Sequence, residues 1–168
     1  ARNLQGVQMI TSDAHKGLVA SIKKSFTNVS WQRCQVHFLR NIFASIPKKD
    51  SVAFREQIKA LFKFTDIDIA RKTKAKITET YIDDRKYKTA CTILDEGFED
   101  AFQYITSGGR NSRLRSTNLL ERLNEELRRR ERIIRIFPNV SSANRLIGAL
   151  LIDQSEQWEY AARNYIKM

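Results

Sequence analysis

With 168 residues, the chain has room for one domain with a real core and is short for two. A composition of 42% hydrophobic and 29% charged residues is globular, and only 6 Gly and 2 Pro favour helices. A formal net charge of +11 and a pI near 9.9 point to a polyanionic partner, because each neutralised phosphate releases condensed counterions. A merely solubilising surface is the alternative. No apolar run has the length of a membrane span, and the start Ala1-Arg2-Asn3-Leu4 is unlike a signal peptide. A first residue other than Met leads us to expect an excised fragment. Cys34 and Cys91 give no disulfide framework and fit a reducing cytosol.

In chain order, residues 7–12 read as a short strand ending at Asp13. A helix over 14–26 follows, with Leu18, Ile22 and Phe26 on one face. Residues 28–30 form a turn, 31–36 a second strand, and 37–46 a helix. Pro47 to Asp50 break the pattern, with Asp50 or Ser51 as the next N-cap. Phe54, Ile58, Leu61 and Phe62 mark one helix, and Ile69, Ala70, Thr73, Ile77 and Tyr81 another. A third runs over 90–105 and is expected to break or loosen near Gly97. Residues 107–112 are a Gly- and Ser-rich loop. A helix over 118–134, capped by Ser116 or Thr117, ends before Phe137-Pro138-Asn139. Ser141 or Ser142 opens a last helix to about Tyr165. Few strands and many helices suggest the edge of an α/β sheet with a helical block attached.

Two acidic residues could carry chemistry. Asp13 sits where a strand ends before a helix, the place where α/β sheets bring ligand-binding groups. It could equally N-cap the following helix, as could Ser12. On the 118–134 helix, Leu120, Leu123, Leu127 and Ile134 share one face, and Glu121, Asn124, Glu125, Arg128 and Arg132 gather opposite. That polar side could be a solvated face with short-range ion pairs, or a carboxylate aimed at a metal beside arginines aimed at phosphate. Between Arg110 and Arg135 there are nine arginines and no lysine. Arginine is the planar, bidentate phosphate fork. Residues 110–135 therefore read as facing DNA, with the Gly-rich loop allowing a backbone to come close. Cys34 and His37 are too few for a structural zinc site, and a packed Cys with a hydrogen-bonded His is the better reading. No Ser-His-Asp arrangement, P-loop or dinucleotide fingerprint is present.

Three segments together resemble the Mutator-type transposases of bacterial insertion sequences. Ser12-Asp13-Ala14-His15-Lys16-Gly17-Leu18 is similar to that family's second-Asp motif. Trp31-Gln32-Arg33-Cys34-Gln35-Val36-His37 through Asn41 is similar to its Cys-x-x-His segment, and Thr117 through Arg130 to its third-acid motif. Phe137-Pro138-Asn139 and the closing helix also fit, so the likeness covers essentially the whole chain in order. The linker over 107–116 departs from the family in being richer in Gly and Ser.

The resemblance implies an α/β, mostly helical chain: a truncated RNase H-like fold with two strands and a helical insertion. Residues 1–46 would be the second half of the core, 47–115 the insertion, and 116–168 the C-terminal core helices. Asp13 matches the second catalytic Asp and Glu121 the catalytic Glu, 108 residues apart. Both would bind metal, two Mg²⁺ ions that Mn²⁺ can replace, in two-metal phosphoryl transfer. The first Asp would lie upstream of residue 1, so the fragment alone is expected to be inactive. Arg110, Arg113, Arg115, Arg122, Arg128, Arg129 and Arg132 are the candidate DNA contacts, Arg128 lying two turns beyond Glu121. The implied partners are double-stranded DNA, as element terminal inverted repeats and target, and further copies of the full-length protein. The implied setting is the bacterial cytoplasm and nucleoid. A helical, basic DNA-binding or dimerisation module without chemistry is the competing expectation, and an RNA-directed nuclease of similar fold a third.

Overall fold

A computed structural model describes residues 5–49, 51–107 and 112–160, without the side chain of Ser112. The chain divides into two compact units, Ala1–Thr117 and Asn118–Met168.

The first unit opens with β1 (Met9–Ser12), α1 (Lys16–Ser25) and β2 (Ser30–Arg33). The strands pair in parallel, Met9 opposite Ser30 through Ser12 opposite Arg33. A parallel pair needs a crossover, and α1 supplies it. The chain turns back at Asn28, whose φ of 63° lies in the left-handed region that Asn tolerates better than most residues. The second strand is shorter than the expected 31–36. It stops at Arg33 because α2 (Gln35–Ala44) starts two residues later. Then follow α3 (Val52–Leu61), α4 (Ile67–Tyr81), α5 (Lys88–Thr106) and a 3-10 turn, Ser112–Arg115.

The core lies among α2, α3, α4 and α5. Phe38, Ile42, Phe54, Ile58, Leu61, Leu94 and Phe102 are fully buried there. Phe98 stacks on Phe102 at 4.5 Å between ring centroids, and Phe62 lies 5.2 Å from Phe102. Burying one such ring stabilises by about 1.5–3 kcal/mol before entropy is counted, so this aromatic group is the main cohesive element of the unit. Two buried glutamines fasten the strand to this helical block. Gln32 Nε2 donates to the Ala101 carbonyl at 2.7 Å, and Gln32 Oε1 accepts the Tyr104 N–H at 2.7 Å. Gln35 Nε2 donates to the same Ala101 carbonyl at 2.8 Å.

One expectation is corrected here. The helix expected to break near Gly97 runs unbroken from Lys88 to Thr106. Gly97 is buried, and a methyl group there would collide with the Arg33 guanidinium and come within 2.7 Å of the Phe38 ring. The glycine is a point of close approach between helices, not a breaker. At α3, Ser51 holds the N-cap position but makes no side-chain cap bond. Its hydroxyl instead donates to the Pro47 carbonyl at 2.7 Å and accepts from Arg55 Nε at 2.9 Å. The alternative cap, Asp50, lies outside the described residues. α4 does have a true cap: Asp66 Oδ1 accepts from the N–H groups of Asp68 and Ile69 at 2.8 and 3.1 Å.

The second unit contains α6 (Asn118–Ile134) and α7 (Val140–Tyr160). Arg135, with φ of 60°, turns the chain out of α6. The cap of α7 is Asn139, not Ser141 or Ser142: its Oδ1 accepts the Ser142 N–H at 2.8 Å. The expected end of this helix at Tyr165 lies outside the described residues. No residue of either helix is buried among those described.

Candidate active site

Asp13 is the first residue beyond β1, and it is exposed. The N-cap of α1 is His15, which makes no side-chain cap bond, so the carboxylate of Asp13 is not spent on capping that helix. Its Oδ1 accepts the His15 N–H at 3.3 Å, a tight turn that orients the carboxyl group without enclosing it. The main chain at Asp13 is held as well. Ser12 Oγ donates to the Asp13 carbonyl at 2.8 Å, and the Trp31 indole Nε1–H donates to Ser12 Oγ at 2.9 Å.

The ends of both strands also hold the stretch that leads to α6. Thr11 Oγ1 donates to the Leu114 carbonyl at 2.7 Å, across 103 residues of sequence. The Thr117 N–H donates to Cys34 Sγ at 3.4 Å, and the Thr117 hydroxyl contacts the same sulfur at 3.4 Å. Cys34 is fully buried, a packed and hydrogen-bonded thiol. None of these ties was legible in the sequence, since a Thr or Cys at a strand end carries no mark of its distant partner. The one available signal was Gln32, a polar residue inside a short strand, where burial demands partners.

Helix α6 separates its faces. Leu123, Glu126, Leu127 and Arg130 line a cleft of about 240 Å³ against Leu150, Asp153, Gln154 and Gln157 of α7. Glu121, Glu125, Arg128 and Arg132 lie on the opposite stripe at the helical period. Glu121 is half-buried, while Arg128 and Arg132 are exposed. Arg113, Arg115 and Arg122 are exposed too, and Arg110 lies outside the described residues. Arg129 is already engaged: its Nε and Nη2 donate to the two carboxylate oxygens of Glu126 at 2.9 and 2.8 Å. Arg130 Nε donates to Glu126 Oε1 at 3.0 Å. These hydrogen bonds, Arg129's first, pull the Glu126 carboxyl down to about 2. Ion pairing on α6 thus includes a glutamate that sequence reading did not single out.

Asp13 belongs to the first unit and Glu121 to the second. Carboxylate oxygens are the donors that hard divalent cations take, and Asp13 offers an exposed one. Among the described residues, no three His, Cys, Asp or Glu side chains are grouped where an ion could sit. No helix among the described residues is long and apolar enough to cross a membrane.

Comparison with known proteins identifies the family. The family model described as "Transposase, Mutator family" matches residues 1–161, and the chain belongs to that family. It is 64% identical over 165 residues, 98% of its length, to the transposase for insertion sequence element IS256 in transposon Tn4001 of Staphylococcus aureus. It is 38% identical over 168 residues to the transposase for element ISRM5 of Rhizobium meliloti, covering 99% of this chain and 42% of that protein. Over 159 residues it is 33% identical to the transposase for element IS1081 of Mycobacterium tuberculosis, covering 94% of this chain and 38% of that protein. The chain spans about two fifths of the length of these relatives, 42% for the Staphylococcus aureus protein.

Proposed function

We propose that this chain is part of the catalytic domain of a DDE transposase that cleaves DNA at insertion-sequence ends and joins it to a target. The observation that carries the reading is Asp13, exposed at the end of β1, its carboxylate oriented and not consumed in capping α1. In a member of that transposase family, Asp13 would serve as one of the catalytic carboxylates. The parallel pair β1 and β2 would be one part of an RNase H-like sheet, completed by the remainder of the longer protein. Helices α3, α4 and α5 would be the insertion between Asp13 and Glu121.

In this reading Asp13 and Glu121 would each offer a carboxylate to Mg²⁺, or to Mn²⁺ in its place. The bound ions would activate the attacking oxygen and stabilise the leaving one. Asp13 contributes from a rigid strand end, so little reorganisation is needed when the site fills. Arg128 and Arg132, on the stripe of Glu121, would bind phosphate oxygens of double-stranded DNA, at element ends and at the target. Arg113, Arg115 and Arg122 would extend that contact. Arg129 would contribute less while Glu126 occupies its guanidinium.

The test uses the full-length protein with a duplex carrying its element's ends and Mg²⁺. Asp13→Asn and Glu121→Gln are expected to abolish strand cleavage while retaining DNA binding, and Glu125→Gln to remain active. Cleavage by both of the first two variants would reduce the chain to a DNA-binding or dimerisation block. Nicking of DNA by the isolated 168 residues would show that no further aspartate is needed.

A further inference from the structure

We infer that Trp31 and Ser12 are positioning residues for Asp13, forming a hydrogen-bonded relay that fixes the catalytic strand end; this rests on the reading of Asp13 as a metal-binding carboxylate. The parallel register pairs Ile10 with Trp31, and Ser12 lies two residues beyond Ile10, on the same face of the sheet. The indole therefore reaches along that face to the Ser12 hydroxyl. An indole N–H can only donate, whereas a hydroxyl has one proton to give and lone pairs to receive. With a lone pair taken by Trp31, the Ser12 proton is directed at the Asp13 carbonyl, 2.8 Å away. The bonds along such a chain polarise and strengthen one another.

Asp13 would otherwise be loosely held, since it follows the last paired residue of β1 and precedes α1 by two residues. The relay fixes its main chain from one side. The His15 N–H fixes Oδ1 from the other, leaving the second carboxylate oxygen open among the described residues. Ser12 is 7% exposed, so water competes poorly for its hydroxyl. The relay thus holds the main chain from which the Asp13 carboxylate projects, and the His15 N–H bond to Oδ1 then sets where the open oxygen points. The Trp31 side chain becomes a specific requirement of the site, beyond its part in packing.

The experiment uses the full-length protein with Trp31→Phe, which keeps a ring and removes the donor, Ser12→Ala, and Ser12→Thr, which keeps the hydroxyl. Two quantities are read. One is the Mg²⁺ concentration giving half-maximal cleavage. The other is quenching of Trp31 emission by Mn²⁺ in a variant whose other tryptophans are replaced by Phe. Loss of a residue that orients a metal ligand costs about tenfold or more in ion affinity. Trp31→Phe and Ser12→Ala are therefore expected to raise the half-saturating Mg²⁺ about tenfold with DNA binding unchanged, and Ser12→Thr to restore it. Mn²⁺ is expected to quench Trp31, and Asp13→Asn to abolish that quenching. An unchanged Mg²⁺ requirement in Trp31→Phe and Ser12→Ala, with Asp13→Asn inactive, overturns the relay alone. Cleavage by Asp13→Asn overturns the site reading beneath it. Should Trp31→Phe lose its fold, Ser12→Ala against Ser12→Thr decides.

Discussion

At the scale of single residues, two positions of the helical block have consequences that composition would misjudge. Gly97 lies inside a 19-residue helix, where glycine costs about 1 kcal/mol relative to alanine. Propensity alone would make Gly97→Ala stabilising. The added methyl meets the Arg33 guanidinium and the Phe38 ring, which lie stacked at 4.1 Å, with the Arg33 Nε already buried and unpartnered among the described residues. Overpacking of this kind costs about 1–3 kcal/mol, so steric cost wins. Gly97→Ala is expected to lower the urea midpoint of the full-length protein, and an unchanged or raised midpoint would show that α2 and α5 can move apart. Gln32 raises the opposite problem. In Gln32→Leu the Ala101 carbonyl still has Gln35, whereas the Tyr104 N–H loses the Gln32 oxygen. A buried hydrogen bond contributes about 0.5–1.5 kcal/mol net, and thermal melting should fall correspondingly. A melting temperature equal to wild type would mean that the helix re-pairs this amide internally.

At the scale of elements, α6 makes a prediction whose sign follows from Glu126. Its carboxyl falls from an ordinary 4.5 to about 2, first through its hydrogen bonds to Arg129. A carboxylate depressed in the folded state contributes stability above its unfolded value, and that contribution is lost as pH falls towards the folded one. Wild type is therefore expected to be more helical and more stable than Glu126→Gln at pH 6, with the difference closing between about pH 4.5 and 2. Circular dichroism across that range checks it; a difference that persists at pH 2 would assign the effect to shape rather than charge. These ion pairs are exposed, so added salt should shrink the difference too. The helix itself was legible because its apolar residues recur at the helical period, as were the strand ending before Asp13 and the turn at Asn28. Features resting on distant partners were not. Gly97 looks like a breaker until Phe38, 59 residues away, is placed against it. Cys34 is the packed cysteine that the sequence suggested, but its partner Thr117, 83 residues away, could not be read there. Helix α7 starts at Val140, ahead of both serines, so Asn139 stands before its first turn and accepts the Ser142 N–H.

For the whole molecule, the two units differ in what holds them together. The first buries a connected group of aromatic and aliphatic side chains contributed by four helices. Helices α6 and α7 bury none among the described residues, and Leu120, Ile133, Ile136, Val140 and Ile152 are all more than half exposed. Two helices joined by a short turn lose more conformational entropy on ordering than a half-exposed seam returns, since ordering costs about 1–2 kcal/mol per residue in backbone terms alone. Residues 118–160 made alone should therefore be weakly helical and melt without a cooperative transition. Residues 5–117 should unfold in one cooperative step, with the glutamine ties keeping the strands attached to the helical block. Calorimetry and circular dichroism on the two pieces decide the matter. A sharp transition in 118–160 would mean that the helix pair carries its own stability and that the glutamate-bearing helix is formed independently of the rest. Absence of a cooperative step in 5–117 would mean that this unit does not by itself hold the strand end at Asp13 rigid.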